Sequence, residues 1–159
     1  MEKGAKSEQL VALLLRRSMT LAAAESCTGG WFAKSVVDVP GASAVFCGGV
    51  VSYVNEVKER VLGVPHALIE EHTAVSAPVA RAMAEGIVRL TGADLGISVT
   101  GLAGPGGGTP EIPVGRVFVA LCERTGNVDV HTLTLCGTRD EIREQAKDKM
   151  IEILLNKLS

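Results

Sequence analysis

The 159-residue sequence contains very few aromatic side chains. Tryptophan and tyrosine occur once each, and phenylalanine occurs three times. So few rings do not indicate a platform on which nucleic-acid bases stack, and we expect no binding protein of that class. Because 47% of the residues are hydrophobic, we expect a sizeable core built from Val, Leu, Ile and Ala.

Charge of one sign and long apolar runs are also missing. The formal net charge is −2, and no basic cluster indicates a nucleic-acid partner. No apolar run approaches the roughly 18 residues of a membrane span, so we expect no membrane partner. The first nine residues are polar, and Arg16 and Arg17 end the first apolar run, so a signal peptide is not predicted either.

The four cysteines are scattered, and no C-x-x-C pair occurs among them. This spacing is not that of a zinc site, and the sequence offers no other convincing ligand set. Scattered cysteines without a signal peptide indicate reduced thiols and a cytoplasmic protein. We therefore expect no metal and no organic cofactor.

Helical and strand patterns alternate along the chain. Helices are predicted over 7–18, 29–39, 55–63, 76–90 and 138–158, and strands over 20–25, 44–54, 94–101, 114–123 and 128–135. Helix-capping side chains are predicted at Ser7, Asn55, Ser76 and Thr138, the last in a capping box with Glu141. This order predicts a single α/β domain over residues 1–159, with three α/β/α layers and a mixed β-sheet.

A thirteen-residue loop, GLAGPGGGTPEIP, follows the strand predicted at 94–101. Gly101 and Gly106 have the spacing of a phosphate-binding P-loop, but Gly107 stands where its lysine is needed. The G-x-G-x-x-G pattern fails as well, because Thr109 takes the third glycine position. Two interpretations stay open: an ordinary surface loop, or a loop whose backbone N–H groups approach a ligand.

The segment AAAESCTGGW places Ser26, Cys27 and Thr28 where a strand passes into a helix. The start of that helix, at Gly29 and Gly30, would present unpaired N–H groups that favour an anion or the oxyanion of acyl transfer. The alternative is structural, because Ser26 and Thr28 are both good N-cap residues. The residues alone leave both interpretations open.

A serine nucleophile needs a base, and the three histidines fit structural or solvated positions better: His66, His72 and His131. Lys58 is the candidate base, with Tyr53 placed to orient it or to relay its proton. At the ordinary pKa of about 10.4, only about one lysine in 2,500 is neutral at pH 7, so burial would have to lower that pKa by about 3. The alternative is a solvated helix lysine.

Two arginines lie four residues apart at the start of the last predicted helix. Arg139 and Arg143 would project to one side, where a guanidinium pair suits a phosphate group. The alternative is ion pairing on a wet surface with Asp140, Glu141 or Glu144. We favour ion pairing for Arg139, while Arg143 stays a candidate for either role.

Five stretches together resemble the CinA C-terminal domain family: AAAESCTGGWFAKSVVDVPGAS, GGVVSYVNEVKERVLGV, AVSAPVARAMAEG, SVTGLAGPGGGTPEIPVG and RDEIREQA. The resemblance covers about residues 10–155. Stand-alone members of this family include amidases that hydrolyse nicotinamide mononucleotide to nicotinic acid mononucleotide and ammonia. Larger CinA proteins carry a further nucleotide-pyrophosphatase domain, for which we expect no room in this chain.

The resemblance implies the same reaction here, with Ser26 of the ESCTGG motif as nucleophile and no cofactor. It also implies catalytic roles for Tyr53 and Lys58 of the Y-x-N-E-x-K motif, and for Thr100 of the TGxAGPGGG motif. Seven residues are then candidates for binding the substrate: Thr28, Gly29, Gly30, Gly101, Gly104, Gly106 and Arg143. A homo-oligomer is implied by resemblance only.

Three alternatives stay open. Cys27 is a possible nucleophile in place of Ser26, because thiols are potent nucleophiles even when a few per cent are ionised. The domain is otherwise a non-catalytic nucleotide-binding or regulatory module, since fold and function separate readily. It is also a candidate partner for a pyrophosphatase domain on another chain.

Overall fold

The computed structural model describes residues 4–159, which form a five-stranded sheet between two layers of helices. The strands are β1 (Leu21–Glu25), β2 (Phe46–Val51), β3 (Leu95–Gly101), β4 (Arg116–Glu123) and β5 (Val128–Thr134). The helices are α1 (Ala5–Arg17), α2 (Trp31–Val37), α3 (Asn55–Leu62), α4 (His66–His72), α5 (Ala77–Thr91) and α6 (Arg139–Leu158). The predicted three-layer α/β/α fold is confirmed.

The sheet is mixed, with the strand order β2-β1-β3-β4-β5. Strands β2, β1 and β3 are parallel, whereas β4 and β5 form the predicted antiparallel hairpin beside β3. The chain leaves β1 to build β2 on one side and then returns past β1 to build β3 on the other. This makes the carboxyl end of β1 a topological switch point, where open α/β sheets form ligand-binding crevices.

Each face of the sheet is covered by its own helices. On one face, α1, α2 and α6 bury the larger core cluster, which includes Leu14, Phe32, Ile97, Ile142 and Met150. On the other face, α3, α4 and α5 bury two smaller clusters against the sheet. Phe32 is the only aromatic side chain among the fully buried residues of the described chain, so the core is aliphatic as the composition predicts.

Several predicted boundaries and two predicted caps are wrong. The helix expected over 29–39 begins only at Trp31, and the strand expected over 44–54 is shortened because a 3₁₀ turn occupies Ala42–Ala44. Ser7 lies buried inside α1 rather than capping it. Asn55 is the first residue of α3 and forms no side-chain cap.

Other local predictions are confirmed. Ser76 accepts a hydrogen bond from the Val79 N–H at the start of α5, and Thr138 with Glu141 forms the capping box of α6. The pairing of β1 with β2 also has an irregularity, because the register shifts before Gly48. Among the described helices, none is long and apolar enough to cross a membrane.

Candidate active site

Strand alternation sends Glu25, the last residue of β1, and Ser26, which follows it, toward opposite faces of the sheet. Ala23 belongs to the core beneath α2, whereas Ala24 belongs to the core beneath α3 and α5. Successive side chains of a strand point to opposite faces. Accordingly, the Glu25 carboxylate lies against the start of α2, while Ser26 lies beside Lys58 of α3.

Lys58 is buried, with 1% of its surface exposed. Its ammonium donates hydrogen bonds to Ser26 Oγ at 3.0 Å, to the Ser52 carbonyl at 2.6 Å and to the Tyr53 carbonyl at 3.1 Å. Burial disfavours the charged form and lowers the pKa of Lys58 to about 8. About one amine in ten is therefore neutral at pH 7, compared with about one in 2,500 for an ordinary lysine.

The hydrogen bond between Lys58 and Ser26 suits proton transfer in both directions. The protonated amine donates to Ser26 Oγ, as its distance of 3.0 Å allows. The neutral amine has a lone pair with which it accepts the serine proton, and two remaining N–H groups for the two carbonyls. A base within hydrogen-bond reach of a hydroxyl is the arrangement that activates a serine nucleophile.

Cys27 is a poor nucleophile in this environment. Its side chain is buried, and burial raises the pKa of the thiol to about 11. Only about one thiol in 10,000 would be ionised at pH 7, and the thiolate is the reactive form. This environment favours Ser26 over Cys27 as the nucleophile.

A cavity of about 230 Å³ opens beside Ser26 at the carboxyl edge of the parallel strands. Its lining brings together six of the predicted site residues: Ser26, Tyr53, Thr100, Gly101, Gly104 and Gly106. Lys58 does not line the cavity and instead contacts Ser26 from the protein interior. A larger depression of about 620 Å³ between α1 and α2 contains none of the predicted catalytic residues.

Thr100 and Tyr53 lie at this cavity, but neither side chain forms a hydrogen bond with Ser26 or Lys58 in residues 4–159. Thr100 Oγ1 donates to the carbonyl of Ala74, in the segment between α4 and α5, at 2.8 Å. The Tyr53 hydroxyl accepts from Arg139 at 3.1 Å, and 58% of the residue is exposed. Tyr53 orients the lysine through its carbonyl oxygen, and its ring is not placed for a proton relay.

The anion site predicted at the start of α2 is occupied by the protein's own carboxylate. The N–H group of Gly30 donates to Glu25 Oε1 at 3.2 Å, and that of Gly29 donates to the Ser26 carbonyl at 3.1 Å. Neither glycine lines the cavity, and nor does Thr28, whose hydroxyl also donates to Glu25. Ser26 and Thr28 do not cap α2, because Glu25 accepts its first N–H groups instead.

Within residues 4–159, Arg139 does not form the ion pair that we favoured for it, whereas Arg143 pairs with Asp140 at 3.6 Å. Arg139 lines the cavity and donates to the Gly104 carbonyl at 2.7 Å. Arg143 lies outside the lining and donates to the backbone carbonyls of Cys27 and Thr28. The structure therefore brings Arg139, not Arg143, to the site.

Sequence reasoning missed two buried residues that build the site. Ser52 supplies a carbonyl to Lys58 and donates its own hydroxyl to the Glu25 carbonyl. Glu25 is 2% exposed and accepts four hydrogen bonds. The sequence did contain an indication for Glu25, because it is an acidic residue at the end of an otherwise apolar strand. Residues 4–159 contain no group of three or more His, Cys, Asp or Glu side chains placed to hold a metal ion.

Comparison with known proteins identifies the family. The family model of the CinA C-terminal domain matches residues 4–158. The chain belongs to the CinA C-terminal domain family. A putative competence-damage inducible protein of Symbiobacterium thermophilum is 52% identical over 142 residues, which cover 84% of this chain and 33% of the relative. A CinA-like protein of Desulfotalea psychrophila is 51% identical over 141 residues, which cover 89% of this chain and 34% of that relative.

Solved structures of CinA proteins share the whole fold. The competence/damage inducible protein CihA from Agrobacterium tumefaciens superposes with a TM-score of 0.94 at 35% identity, covering 96% of this chain and 93% of that one. A CinA superfamily protein from Klebsiella pneumoniae gives a TM-score of 0.95 at 32% identity. The match covers 99% of this chain and 98% of the Klebsiella chain. The chain thus spans about a third of the length of the curated relatives that it matches, and nearly all of these solved CinA chains.

Proposed function

We propose that this CinA domain is an amidohydrolase that converts nicotinamide mononucleotide to nicotinic acid mononucleotide and ammonia, with Ser26 as nucleophile and Lys58 as general base. The observation that carries the proposal is the contact of 3.0 Å between a buried lysine, with a pKa near 8, and a serine that lines an open cavity. The choice of substrate rests on the resemblance to the family's stand-alone amidases.

The proposed reaction has two halves. Ser26 Oγ attacks the carboxamide carbon while Lys58 accepts the serine proton. The C–N bond then breaks, Lys58 returns the proton to the leaving nitrogen, and ammonia departs from an acyl-serine ester. In the second half Lys58 removes a proton from water, and the resulting hydroxide attacks the ester carbon. The ester C–O bond then breaks, Lys58 returns the proton to Ser26 Oγ, and the acid product leaves and ionises to its carboxylate. No metal or organic cofactor takes part in this route.

An oxyanion forms in both halves and needs hydrogen-bond donors. Within residues 4–159, the backbone N–H groups of Cys27 and Thr28 donate to no backbone carbonyl. The residue after a nucleophile is a common source of such a donor, and Cys27 lines the cavity. We assign this role to the Cys27 N–H group, in place of the Gly29 and Gly30 groups, which are engaged elsewhere.

The nucleotide's phosphate group requires a cation at the cavity. Arg139 is placed for this, beside the glycines of the 101–106 loop. Its guanidinium now holds the Gly104 carbonyl and the Tyr53 hydroxyl. A bound phosphate would share or replace these two acceptors, and the exposed Tyr53 ring would become part of the binding surface.

An ammonia-release assay with nicotinamide mononucleotide tests the proposal. We expect turnover by the unaltered protein, no turnover by Ser26→Ala, and a loss of at least about 10²-fold in kcat for Lys58→Met. Cys27→Ala is the matched control, and it should keep most of its activity. Turnover by purified Ser26→Ala protein would disprove the serine mechanism, and loss of turnover in Cys27→Ala alone would assign the reaction to the thiol.

Calorimetry distinguishes the second candidate function, a non-catalytic nucleotide-binding module. Binding of the mononucleotide with no ammonia released, under conditions in which the protein is folded, would favour that module. The same preparations should be examined by sedimentation, because we also expect a homo-oligomer.

A further inference from the structure

The turn at 25–30, which carries Ser26, is bound from one side by the carboxylate of Glu25. Glu25 accepts from Thr28 Oγ1 at 2.5 Å and from the N–H groups of Gly30, Phe32 and Ala33 at 3.2, 3.0 and 2.9 Å. Both oxygens are used, and the residue is almost completely buried. Charge-assisted bonds of this kind are roughly twice as strong as neutral ones, so the carboxylate ties the turn firmly to the start of α2.

The carbonyl groups of the same turn are bound from the opposite element, α6. Arg143 Nε donates to the Cys27 carbonyl at 2.9 Å, and Nη2 donates to the Thr28 carbonyl at 3.2 Å. The guanidinium also lies 5.5 Å from the centre of the Trp31 ring. Gly29 makes this approach possible, because its φ is +59° and an added Cβ would lie 3.3 Å from Nη2.

We propose that Glu25 and Arg143 are positioning residues that hold the turn at 25–30 from two sides and thereby keep Ser26 Oγ beside Lys58. The inference rests on the proposed role of Ser26 as nucleophile. A turn held by its Thr28 hydroxyl and Gly30 N–H group on one side, and by its Cys27 and Thr28 carbonyls on the other, resists rotation of its peptide groups. The benefit is catalytic, because a displacement of about 1 Å at a reacting atom can reduce the rate by about 10²-fold.

This role differs from the substrate-binding role that the sequence indicated for Arg143. Two of its nitrogens are committed to backbone carbonyls, and the side chain does not line the cavity. Arg139 has the position that a substrate contact needs. Loss of Arg143 should therefore lower kcat and leave KM nearly unchanged, whereas loss of a phosphate contact would chiefly raise KM.

The test compares Arg143→Lys and Arg143→Met with the unaltered protein. Lys149→Met, at an exposed position on the same helix, is the control. Two quantities are measured: the kinetics of ammonia release from nicotinamide mononucleotide, and the rate at which a fluorophosphonate probe labels Ser26, read by mass spectrometry. We expect both variants to lose about 10- to 100-fold in kcat, to change KM by less than about 3-fold, and to lose labelling rate in parallel.

Glu25 is tested by Glu25→Gln and by the milder Thr28→Val. The glutamine places an NH₂ group among N–H donors, so its labelling rate should fall as that of Arg143→Met does. Thr28→Val removes only one of the four hydrogen bonds and should produce a smaller loss in a protein that still folds. Thermal unfolding of each variant separates loss of positioning from loss of the fold.

The outcomes distinguish this inference from the proposed function. If the unaltered protein releases no ammonia but Ser26 is labelled, the proposed substrate is wrong and the labelling ratios still decide the positioning role. A raised KM with unchanged kcat in Arg143→Met would overturn the positioning role and indicate a substrate contact instead. Unchanged kinetics and labelling in all four variants would also overturn the positioning role. Failure of the unaltered protein both to release ammonia and to be labelled would overturn both proposals.

Discussion

The Nζ atom of Lys58 lies 3.0 Å from the Oγ atom of Ser26, although 32 residues separate them in the chain. The serine follows the central parallel strand β1, and the lysine comes from the helix that follows the edge strand β2. Because the lysine is buried, its proton is bound less tightly than usual. We therefore expect protonation of this one side chain to link the proposed activity to the stability of the domain.

The activity should rise with pH until Lys58 is neutral. With a pKa of about 8, kcat/KM for ammonia release should increase nearly tenfold per pH unit below pH 7 and level off above about pH 8.5. The measurement is a pH–rate profile from pH 6 to 9.5. Cys27→Ala should give the same profile, because the thiol of Cys27 stays protonated over this range. A flat profile would contradict the role of Lys58 as base.

Lys58→Arg tests the same role at constant charge. The guanidinium keeps a proton at every pH of the assay, so it cannot accept one from Ser26. We expect a loss of at least about 10²-fold in kcat that higher pH does not restore. Recovery of activity toward pH 9.5 in this variant would show that another group serves as the base.

Stability should also depend on pH through Lys58. The pKa is about 8 in the folded protein and 10.5 ordinarily. Between these values the unfolded chain binds the proton more tightly, so the free energy of unfolding rises with pH there, by up to roughly 3 kcal/mol. Below pH 8 Lys58 is charged in both the folded and the unfolded protein, and burial of that charge lowers the free energy of unfolding by its full amount. Denaturant titrations should find this rise absent from Lys58→Met, and an identical rise in the variant would refute the prediction.

Thr100→Val should affect stability more than chemistry. The substitution removes the hydrogen bond to the Ala74 carbonyl, which we expect to cost about 1–2 kcal/mol of unfolding free energy. It should lower kcat by less than tenfold, since the hydroxyl donates to the Ala74 carbonyl and not to Ser26 or Lys58. Ser98→Ala, on the same strand, removes a similar bond to the Ala80 carbonyl and is the matched control. A loss above 100-fold for Thr100→Val alone would indicate direct participation.

Gly86→Ala should disturb the lysine from a distance. A Cβ at this position in α5 would lie 2.1 Å from the carbonyl oxygen of Leu62, at the end of α3. Helix α3 must then shift, and it carries Lys58. We expect a loss of about 1–3 kcal/mol in unfolding free energy together with a reduced kcat. Arg81→Ala, at an exposed position on α5, should change neither by a comparable amount.

Most elements of the fold were predictable because their signals are local. The apolar patterns of helices and strands, and the capping box at Thr138, act within one or two turns of chain. The predictions that were wrong concern positions where groups from elsewhere in the chain compete with local side chains for the same hydrogen bonds. Ser26 and Thr28 are good N-cap residues, yet the Glu25 carboxylate reaches the first N–H groups of α2 and displaces them from that role.

The sequence by itself determined the layered α/β fold, the family, and a set of polar residues at the strand ends, because these depend on periodicity and on long motifs. Only the tertiary structure decided which of those residues lie together and which groups each of them contacts. Strand alternation directed Ser26 to Lys58 and Glu25 to α2. The packing of α6 brought Arg139 to the cavity and Arg143 to the turn. Such choices depend on the relative placement of elements that are distant in the chain, which no local pattern of residues records.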